Sequence, residues 1–447
     1  METSRNKGIL FGGYWGPCNR LQKIILISLL ITSLLSLVVS LRDIKQYAGV
    51  DLRNKVVGAR YLLAGLDPYA IEWTPPSEWF LDPLRRYPGL SRTTVTPLVL
   101  IAYCPFAWLP YHTQRTIWAF LEWLTMILSI LVLIRIVHAG NARFIFVVFA
   151  LLFFVSGFFW RLHVERGQFY IFLTFILSLA IFFDMKQKNI IAALLLALLP
   201  VLRPTFLIII PLLLLLRKWK TAVVMVLASL AIFSLSLIPN NIKLWDSYLK
   251  NVYIIEKAIA GKEYSEGKFE MRNKIPESAE GINFHNMLPI RQPPLSFLQI
   301  LKQIGKRIHQ LSPDIILKLN NIAGVLFVIL CFSIAFLIGK YSFNQRFVWI
   351  FIMAVVLNID YFTPARFEYT DVLFLPVIAL FAPLFVSPLV SLSFPVVVTC
   401  AFLLSYSNTL TLFDVPIANL VRSLLFMSAL NILIISCVFK KIKRSFR

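Results

Sequence analysis

The chain has 447 residues, 58% of them hydrophobic and 14% aromatic, with a mean hydropathy of +0.76. A soluble domain carries about 45–50% apolar residues, so this composition excludes an ordinary soluble globular protein and points to an all-α polytopic membrane protein. Lys and Arg outnumber Asp and Glu 44 to 22, yet they sit in short patches between apolar runs rather than on one face. That pattern argues against nucleic acid as partner. It fits orientation in a bilayer, with attraction to anionic lipid or to a phosphorylated substrate.

In chain order, residues 1–20 are polar enough to precede a retained first span, Ile24–Leu41, rather than a cleavable leader. An outer loop, Arg42–Arg92, follows. In it Leu52, Val56, Ala59 and Leu63 recur at helical spacing while Arg53, Lys55 and Arg60 lie elsewhere on the wheel. This predicts an interfacial helix whose apolar side dips into lipid. Asp51 stands at its start, where a carboxylate can cap the helix or do chemistry. Gly65 is expected to end the helix, and Asp67-Pro68 to turn the chain before Tyr69.

The run Thr93–Pro110 is apolar but broken by Pro97 and Pro105, and is expected to lie against the outer surface without crossing. Further spans centre on Thr116–Ile134, Phe144–Trp160, Phe169–Phe183, Asn189–Leu202, Pro204–Leu216, Thr221–Ile238, Asn321–Gly339 and Phe347–Ile359. Val372–Phe413 holds two more, turning near Ser387-Pro388, and Ala418–Phe439 the last. The basic links Arg135–Arg143, Lys186/Lys188, Arg217–Lys220 and Lys340–Arg346, with the tail "KKIKRSFR", alternate correctly as cytoplasmic for about 12 spans with both termini inside. The outer side then holds the turn Arg161–Gln168, Arg203-Pro204, the long polar loop Asn240–Asp314 and the link Asn358–Asp371.

That side gathers the ionisable groups. The short outer turns use Arg161, Arg166, Arg203 and Arg366, and arginine suits bidentate contact with phosphate. Headgroup snorkelling accounts for some of these, Arg161 and Arg166 first. Arg203 is pinned between two apolar runs, where an unpaired guanidinium is costly. Glu165, Gln168, Tyr369 and, in the long loop, His285 are candidates to contact hydroxyl groups of a ligand. Glu122, inside an apolar run, can pair with a neighbouring Arg. The five cysteines are dispersed, and HExxH, P-loop, GxSxG and CxxC motifs are missing from the chain, so neither a metal nor another cofactor is expected.

An Asp opening an amphipathic helix after the first span, then "ARYLLAGLDPY", "RYPGLSRTTVTPLVLIAYCPFAWLPY", "RGQFYIFL" and "LALLPVLRPTFLIIIPLLLLLRKW", resembles in that order the bacterial polyprenyl-phosphate-mannose-dependent α-mannosyltransferases. These are integral membrane glycosyltransferases of the GT-C fold. The resemblance spans roughly Ile24–Ile238, with looser echoes in "NFHNMLPIR" and "TPARFEYTDVLFLP". It implies a single GT-C domain over residues 1–447, with a first span at 24–41 and an extracytoplasmic loop with interfacial helices at 42–110. Family-like spans at 116–238, a long loop at 239–317, C-terminal spans at 318–439 and a basic tail at 440–447 complete it. The protein is then expected to be multi-pass in the inner (plasma) membrane, with its site on the extracytoplasmic side.

The same resemblance places Asp51 on the catalytic carboxylate, Tyr69 on the aromatic of a G-x-x-P-Y element, Gln168 on the Gln of a GQ that opens a span, and Arg203 where a Lys is usual. Tyr87-Pro88-Gly89 replaces a usual double proline and Arg166 a commoner Asn. Those departures bear on the acceptor. The expected reaction moves a hexose, mannose by resemblance, from a polyprenyl-phosphate donor to a glycan or glycolipid. Asp51 would act as base, Arg203 and Arg366 on the donor phosphate, and Tyr69, Gln168, His285, Glu165 and Tyr369 on sugar or acceptor. Two rivals are a transporter or flippase of a lipid-linked sugar, and a polysaccharide polymerase or ligase. A transporter is expected to show internal pseudo-symmetry, and the sequence shows none.

Overall fold

A computed structural model describes residues 20–46, 49–69, 93–137, 140–155, 158–237, 242–260, 297–298, 301–302, 312–362, 368–385, 411–412, 415–416, 434–435 and 438. Its regular structure is helical apart from a two-residue antiparallel ladder, Thr411–Leu412 with Val415–Pro416. The ladder's first strand, Thr411–Leu412, takes the last residues of the second span expected in 372–413, a run expected to be helical, and its second, Val415–Pro416, falls in the link before the span expected at 418–439. Most of those two spans lies outside the described residues.

The helices, in order, are α1 (Arg20–Gln46), α2 (Val50–Leu63), α3 (Pro97–Tyr103), α4 (Tyr111–Ile136), α5 (Asn141–Phe149), α6 (Phe158–Arg166), α7 (Tyr170–Met185), α8 (Asn189–Leu202), α9 (Ile209–Leu215), α10 (Trp219–Ser236), α11 (Ile242–Ala260), α12 (Pro313–Lys340), α13 (Gln345–Ile359) and α14 (Leu375–Phe385). Among the described residues, five stretches are long and apolar enough to cross a membrane: Arg20–Lys45, Tyr111–Ile136, Trp219–Ser236, Pro313–Lys340 and Gln345–Phe362. Six shorter apolar helices accompany them. α1 and α12 leave rows of large apolar side chains exposed, among them Leu30, Leu34, Val38, Val325, Ile329 and Phe336, as lipid-facing helices do.

Several expected elements are reshaped. The run Phe144–Trp160 is not one rod, because α5 passes into a π-helical turn, Ala150–Val155, before α6. Ser36 of α1 donates its hydroxyl to the Val155 carbonyl at 2.8 Å, which satisfies an acceptor at the end of that wide turn. The outer turn expected over Arg161–Gln168 is mostly helix: α6 carries His163 and Glu165, and the chain reverses only at Gly167. α3 with the 3-10 turn Cys104–Phe106 spans only about 16 Å, too short to cross a ~30 Å hydrocarbon layer.

The largest correction concerns α2. Leu52, Val56 and Ala59 are fully buried in protein, and Arg53, Lys55 and Arg60 on the other side are buried too, so the body of the helix does not dip into lipid; of the expected stripe Leu63 alone, at the C-terminal end, is exposed. Its apolar stripe packs on α3, where Gly58 faces Leu100, and on the turn at Gly167. Arg60 donates its Nε to the Ala107 carbonyl at 3.0 Å, satisfying the buried guanidinium on backbone. A Schellman motif ends α2, with the Leu66 amide on the Tyr61 carbonyl at 2.9 Å, the Gly65 amide on Leu62 at 3.0 Å, and Gly65 at φ 71°.

The bundle has two distinguishable ends. At one, Asp184 near the end of α7 accepts from Lys218 (2.6 Å), Gln345 (2.7 Å) and the Trp349 indole (2.6 Å). Arg346 reaches the Ile136 carbonyl at 3.1 Å, and Gln22 reaches Asn141 at 3.4 Å. All four basic links between helices therefore collect at this end. The start of α7, the ends of α8 and α13, and α2 lie at the other, ~21 Å away along α7 at 1.5 Å per residue.

Candidate active site

Asp51 lies in the first turn of α2 but does not cap it. Gly49, in the left-handed region at φ 54°, occupies the capping position, and no side chain bonds the first turn there. The reading of Asp51 as a mere cap therefore fails. Its carboxylate, only partly covered, instead accepts a hydrogen bond from the Gln168 amide, Nε2 to Oδ2 at 2.6 Å. This joins the first outer loop to the turn between α6 and α7.

Two glycines make that junction possible. A Cβ on Gly167 would come within 2.6 Å of the Leu52 Cβ, and one on Gly49 within 2.6 Å of the Arg115 guanidinium. Both positions also have positive φ, so glycine answers two demands at once. Arg115, itself buried, donates to the Val164 carbonyl at 3.2 Å and the Glu165 carbonyl at 2.8 Å, tying α4 to the end of α6.

Beneath Asp51 sits Lys55, one turn on. Its ammonium donates to the Asp51 carbonyl at 2.9 Å, lies 3.5 Å from Gln168 Oε1, and is 6.0 Å from the ring centres of Tyr103 and Phe169. Burial lowers its pKa to about 8, and the charges of Asp51 and Glu122 offset part of that fall. Deeper still, His163 Nδ1 lies 3.0 Å from Glu122 Oε1, while Nε2 accepts the Ile171 amide at 3.3 Å. A ring nitrogen that accepts carries no proton, so the proton of a neutral His163 sits on Nδ1, toward Glu122. Burial, then the Lys55 charge, holds the His163 pKa well below its usual range, which favours that neutral form. Trp160 stacks on the imidazole at 5.3 Å.

Glu165 is buried with Arg166 Nε 3.3 Å from its Oε2. Burial raises its pKa to about 7, against the pull of Arg166 and Arg115. Arg203, the residue after α8, is not an unpaired cation: it pairs with Asp360 at the end of α13, donates to Thr205 at 3.2 Å and stands 4.7 Å from the Tyr170 ring. Tyr69 is buried with its hydroxyl on the Val95 carbonyl at 2.7 Å and its ring edge-on to Tyr248. It thus braces the loop against α11 and the segment before α3. His285 and Arg366 lie outside the described residues. Tyr369 belongs to the 3-10 segment Glu368–Phe374, but its side chain lies outside them too. Among the described residues, no three His, Cys, Asp or Glu side chains gather as metal ligands would.

Of the residues singled out in the sequence, Asp51 and Gln168 are brought into contact, and Glu165 lies near enough for the Asp51 charge to act on it. Lys55, Arg115 and Asp360 were not singled out. Lys55 had a readable signal, since it stands four residues after Asp51 on the same helix face. Arg115 had one too, as a charge in the first turn of an apolar helix. Asp360 is separated by 157 positions from its partner, and no local pattern announces it.

A partly open carboxylate held by an amide, with a buried lysine one turn below it, can accept a proton from a hydroxyl group brought to it. Residues 94–270 match the model of Glycosyltransferase family 87. Family 87 comprises membrane glycosyltransferases of the GT-C type. The matched stretch is about two fifths of the chain. It contains Arg115, Glu122, His163, Glu165, Gln168 and Arg203, and starts after α2, so Asp51 and Lys55 lie outside it. A search of curated proteins finds no match. The apolar helices and the family 87 match together support a glycosyltransferase in a membrane, acting on a sugar donor and an acceptor.

Proposed function

We propose that this protein is an inverting glycosyltransferase of the GT-C fold that moves a hexose, mannose by resemblance, from a polyprenyl-phosphate donor to a glycan or glycolipid. The reading places it in the inner membrane with its site on the extracytoplasmic side. One observation carries it: the partly open carboxylate of Asp51, held by Gln168 at 2.6 Å, sits at the end of the bundle remote from the basic links. A donor with a membrane-bound tail would bring its phosphate to that end of the bundle.

In this reading the acceptor hydroxyl attacks the anomeric carbon as the bond to the donor phosphate oxygen breaks. Asp51 takes the hydroxyl proton, and the polyprenyl phosphate leaves with the bonding pair. An aspartate is a weak base, its carboxyl titrating near ~3.9 in water, but it serves when the proton moves late, as the hydroxyl becomes acidic in the transition state. One base without a nucleophilic partner fits a single displacement, hence inversion. Arg203 stays the proposed phosphate ligand, steadied by Asp360 and the Tyr170 ring. Arg366 is its proposed companion, and His285, Glu165 and Tyr369 are proposed to meet sugar or acceptor.

Purified protein is incubated with a panel of labelled polyprenyl-phosphate sugars and membrane extract. Label should move from the mannose donor to a lipid-extractable product, and Asp51→Asn should abolish transfer while the protein melts as the wild type does. Undiminished transfer by Asp51→Asn removes Asp51 from the chemistry.

A further inference from the structure

A buried lysine needs a reason. Lys55 keeps only 5% of its surface exposed, and an ammonium taken out of water is costly unless its surroundings answer it. Two aromatic rings, a carbonyl and an amide oxygen do so here. A methionine would fill the same slot between Tyr103 and Phe169 at no electrostatic cost, so packing alone does not account for the charge.

The amide of Gln168 supplies the reason. An amide side chain can present either its oxygen or its NH2 to a neighbour, and only neighbours decide which. On one side stands a carboxylate, which only accepts; on the other an ammonium, which only donates. With Nε2 toward Asp51 and Oε1 toward Lys55, both contacts are favourable; flipped, both are repulsive. The 3.5 Å separation is long for a hydrogen bond, so Lys55 acts on Oε1 mainly through its field. The Asp51 carbonyl, 2.9 Å from Nζ on the same helix, fixes where that field originates.

We propose that Lys55 is a positioning residue that fixes the Gln168 amide so that it holds one oxygen of the Asp51 carboxylate and leaves the other toward the acceptor. The proposal rests on the reading of Asp51 as general base. Charge relay plays no part: no proton moves from Lys55, and its contribution is orientation.

The test uses the full-length protein in detergent. Lys55→Met, Gln168→Met and the double variant are assayed with labelled polyprenyl-phosphate mannose. Lys55→Met should lower kcat tenfold or more with donor KM within about twofold, Lys55→Arg should recover much of the loss, and the double variant should be no slower than Gln168→Met alone. Wild-type activity should also fall above about pH 8, where Lys55 loses its proton, and Lys55→Arg should carry activity to higher pH. The charged and titratable groups facing Lys55 are Asp51 on its own helix, Tyr103 on α3, Glu122 on α4 and His163 on α6. Unchanged kcat in Lys55→Met, or losses that simply multiply in the double variant, overturn the proposal.

A second measurement needs no turnover. The thermodynamic coupling between Lys55→Met and Asp51→Asn, read from denaturant melts, should be clearly smaller with Gln168→Leu than with Gln168, leaving only what the direct attraction of the two charges supplies. Coupling undiminished without Gln168 refutes the orientation role. Wild-type protein inactive on the whole donor panel overturns the glycosyltransferase reading instead.

Discussion

Gly167→Ala puts the closest approach in the site to the test. Gly167 sits at φ 67°, where a residue with a Cβ costs about 1–2 kcal/mol. The added Cβ would lie 2.6 Å from the Leu52 Cβ, against the ~3.5–4.0 Å at which carbons rest, so the two segments must part by about 1 Å. Overpacking of that size costs about 1–3 kcal/mol, which brings the expected loss to about 2–5 kcal/mol. Leu52 is next to Asp51 and Gly167 next to Gln168, so the same displacement stretches the 2.6 Å hydrogen bond beyond useful length. Transfer activity should fall on the order of 100-fold, the scale of a 1 Å misplacement. Leu52→Ala keeps the offending Cβ and should not rescue the variant. Leu52→Gly removes it and should recover part of the activity while leaving the protein less stable. A Gly167→Ala protein with wild-type melting and wild-type transfer would refute the account of how α2 and the turn fix Asp51.

Three further outcomes follow from buried charges. Asp360→Ala removes the carboxylate paired with Arg203 and should cost about 3–5 kcal/mol in denaturant melts and weaken donor affinity; a neutral result would mean the pair is dispensable. Glu165 stays protonated in the fold up to about pH 7 against an ordinary value of 4.5, so its contribution to stability is full below pH 4.5 and lost as pH rises through 7. Glu165→Gln should therefore melt like the wild type near pH 4.5 and be more stable at pH 8 by about 3 kcal/mol, and equal melts at both pH values would contradict the assignment. Asp184→Ala removes the shared acceptor of Lys218, Gln345 and Trp349 and should destabilise by about 3–5 kcal/mol without changing donor KM in the folded fraction, as melts and kinetics together would show.

What the sequence reveals and what it hides have physical causes. Apolar runs and basic links are local, so α1, α4, α10, α12 and α13 are legible, as is the Gly65 stop. Asp51 and Gln168 are each visible by resemblance, yet their bond joins residues 117 positions apart. The environment of α2 escapes the sequence because its wheel is amphipathic: an apolar stripe with basic residues opposite suits an interface with lipid. It suits equally a helix wedged between α3 and the end of α6, which is where it lies. Periodicity reports that a face is covered, not by what. Arg203 stands out in the sequence as costly to leave alone, but a single chain pattern cannot point to Asp360. The π-helical turn Ala150–Val155 leaves no mark, since a widened turn keeps the composition of the run that contains it.

The two ends of α7 differ in a way that favours placing the proposed chemistry with α2. At the Asp184 end a single carboxylate oxygen takes three donors from two segments, Lys218 in the link between α9 and α10 and Gln345 and Trp349 on α13, a constellation that locks helices together and leaves that oxygen nothing more to accept. At the other end the groups are held out of their ordinary states: Lys55 lowered to about 8, Glu165 raised to about 7, His163 kept neutral. Burying those groups costs stability, and a chain selected for stability alone would place apolar residues there. Lys55 and Glu165 both feel the charge of the partly open Asp51 carboxylate, whose position depends on two glycines with no room for a Cβ. Buried ionisable groups gathered around a fixed acceptor oxygen are what the proposed reaction requires and a scaffold does not.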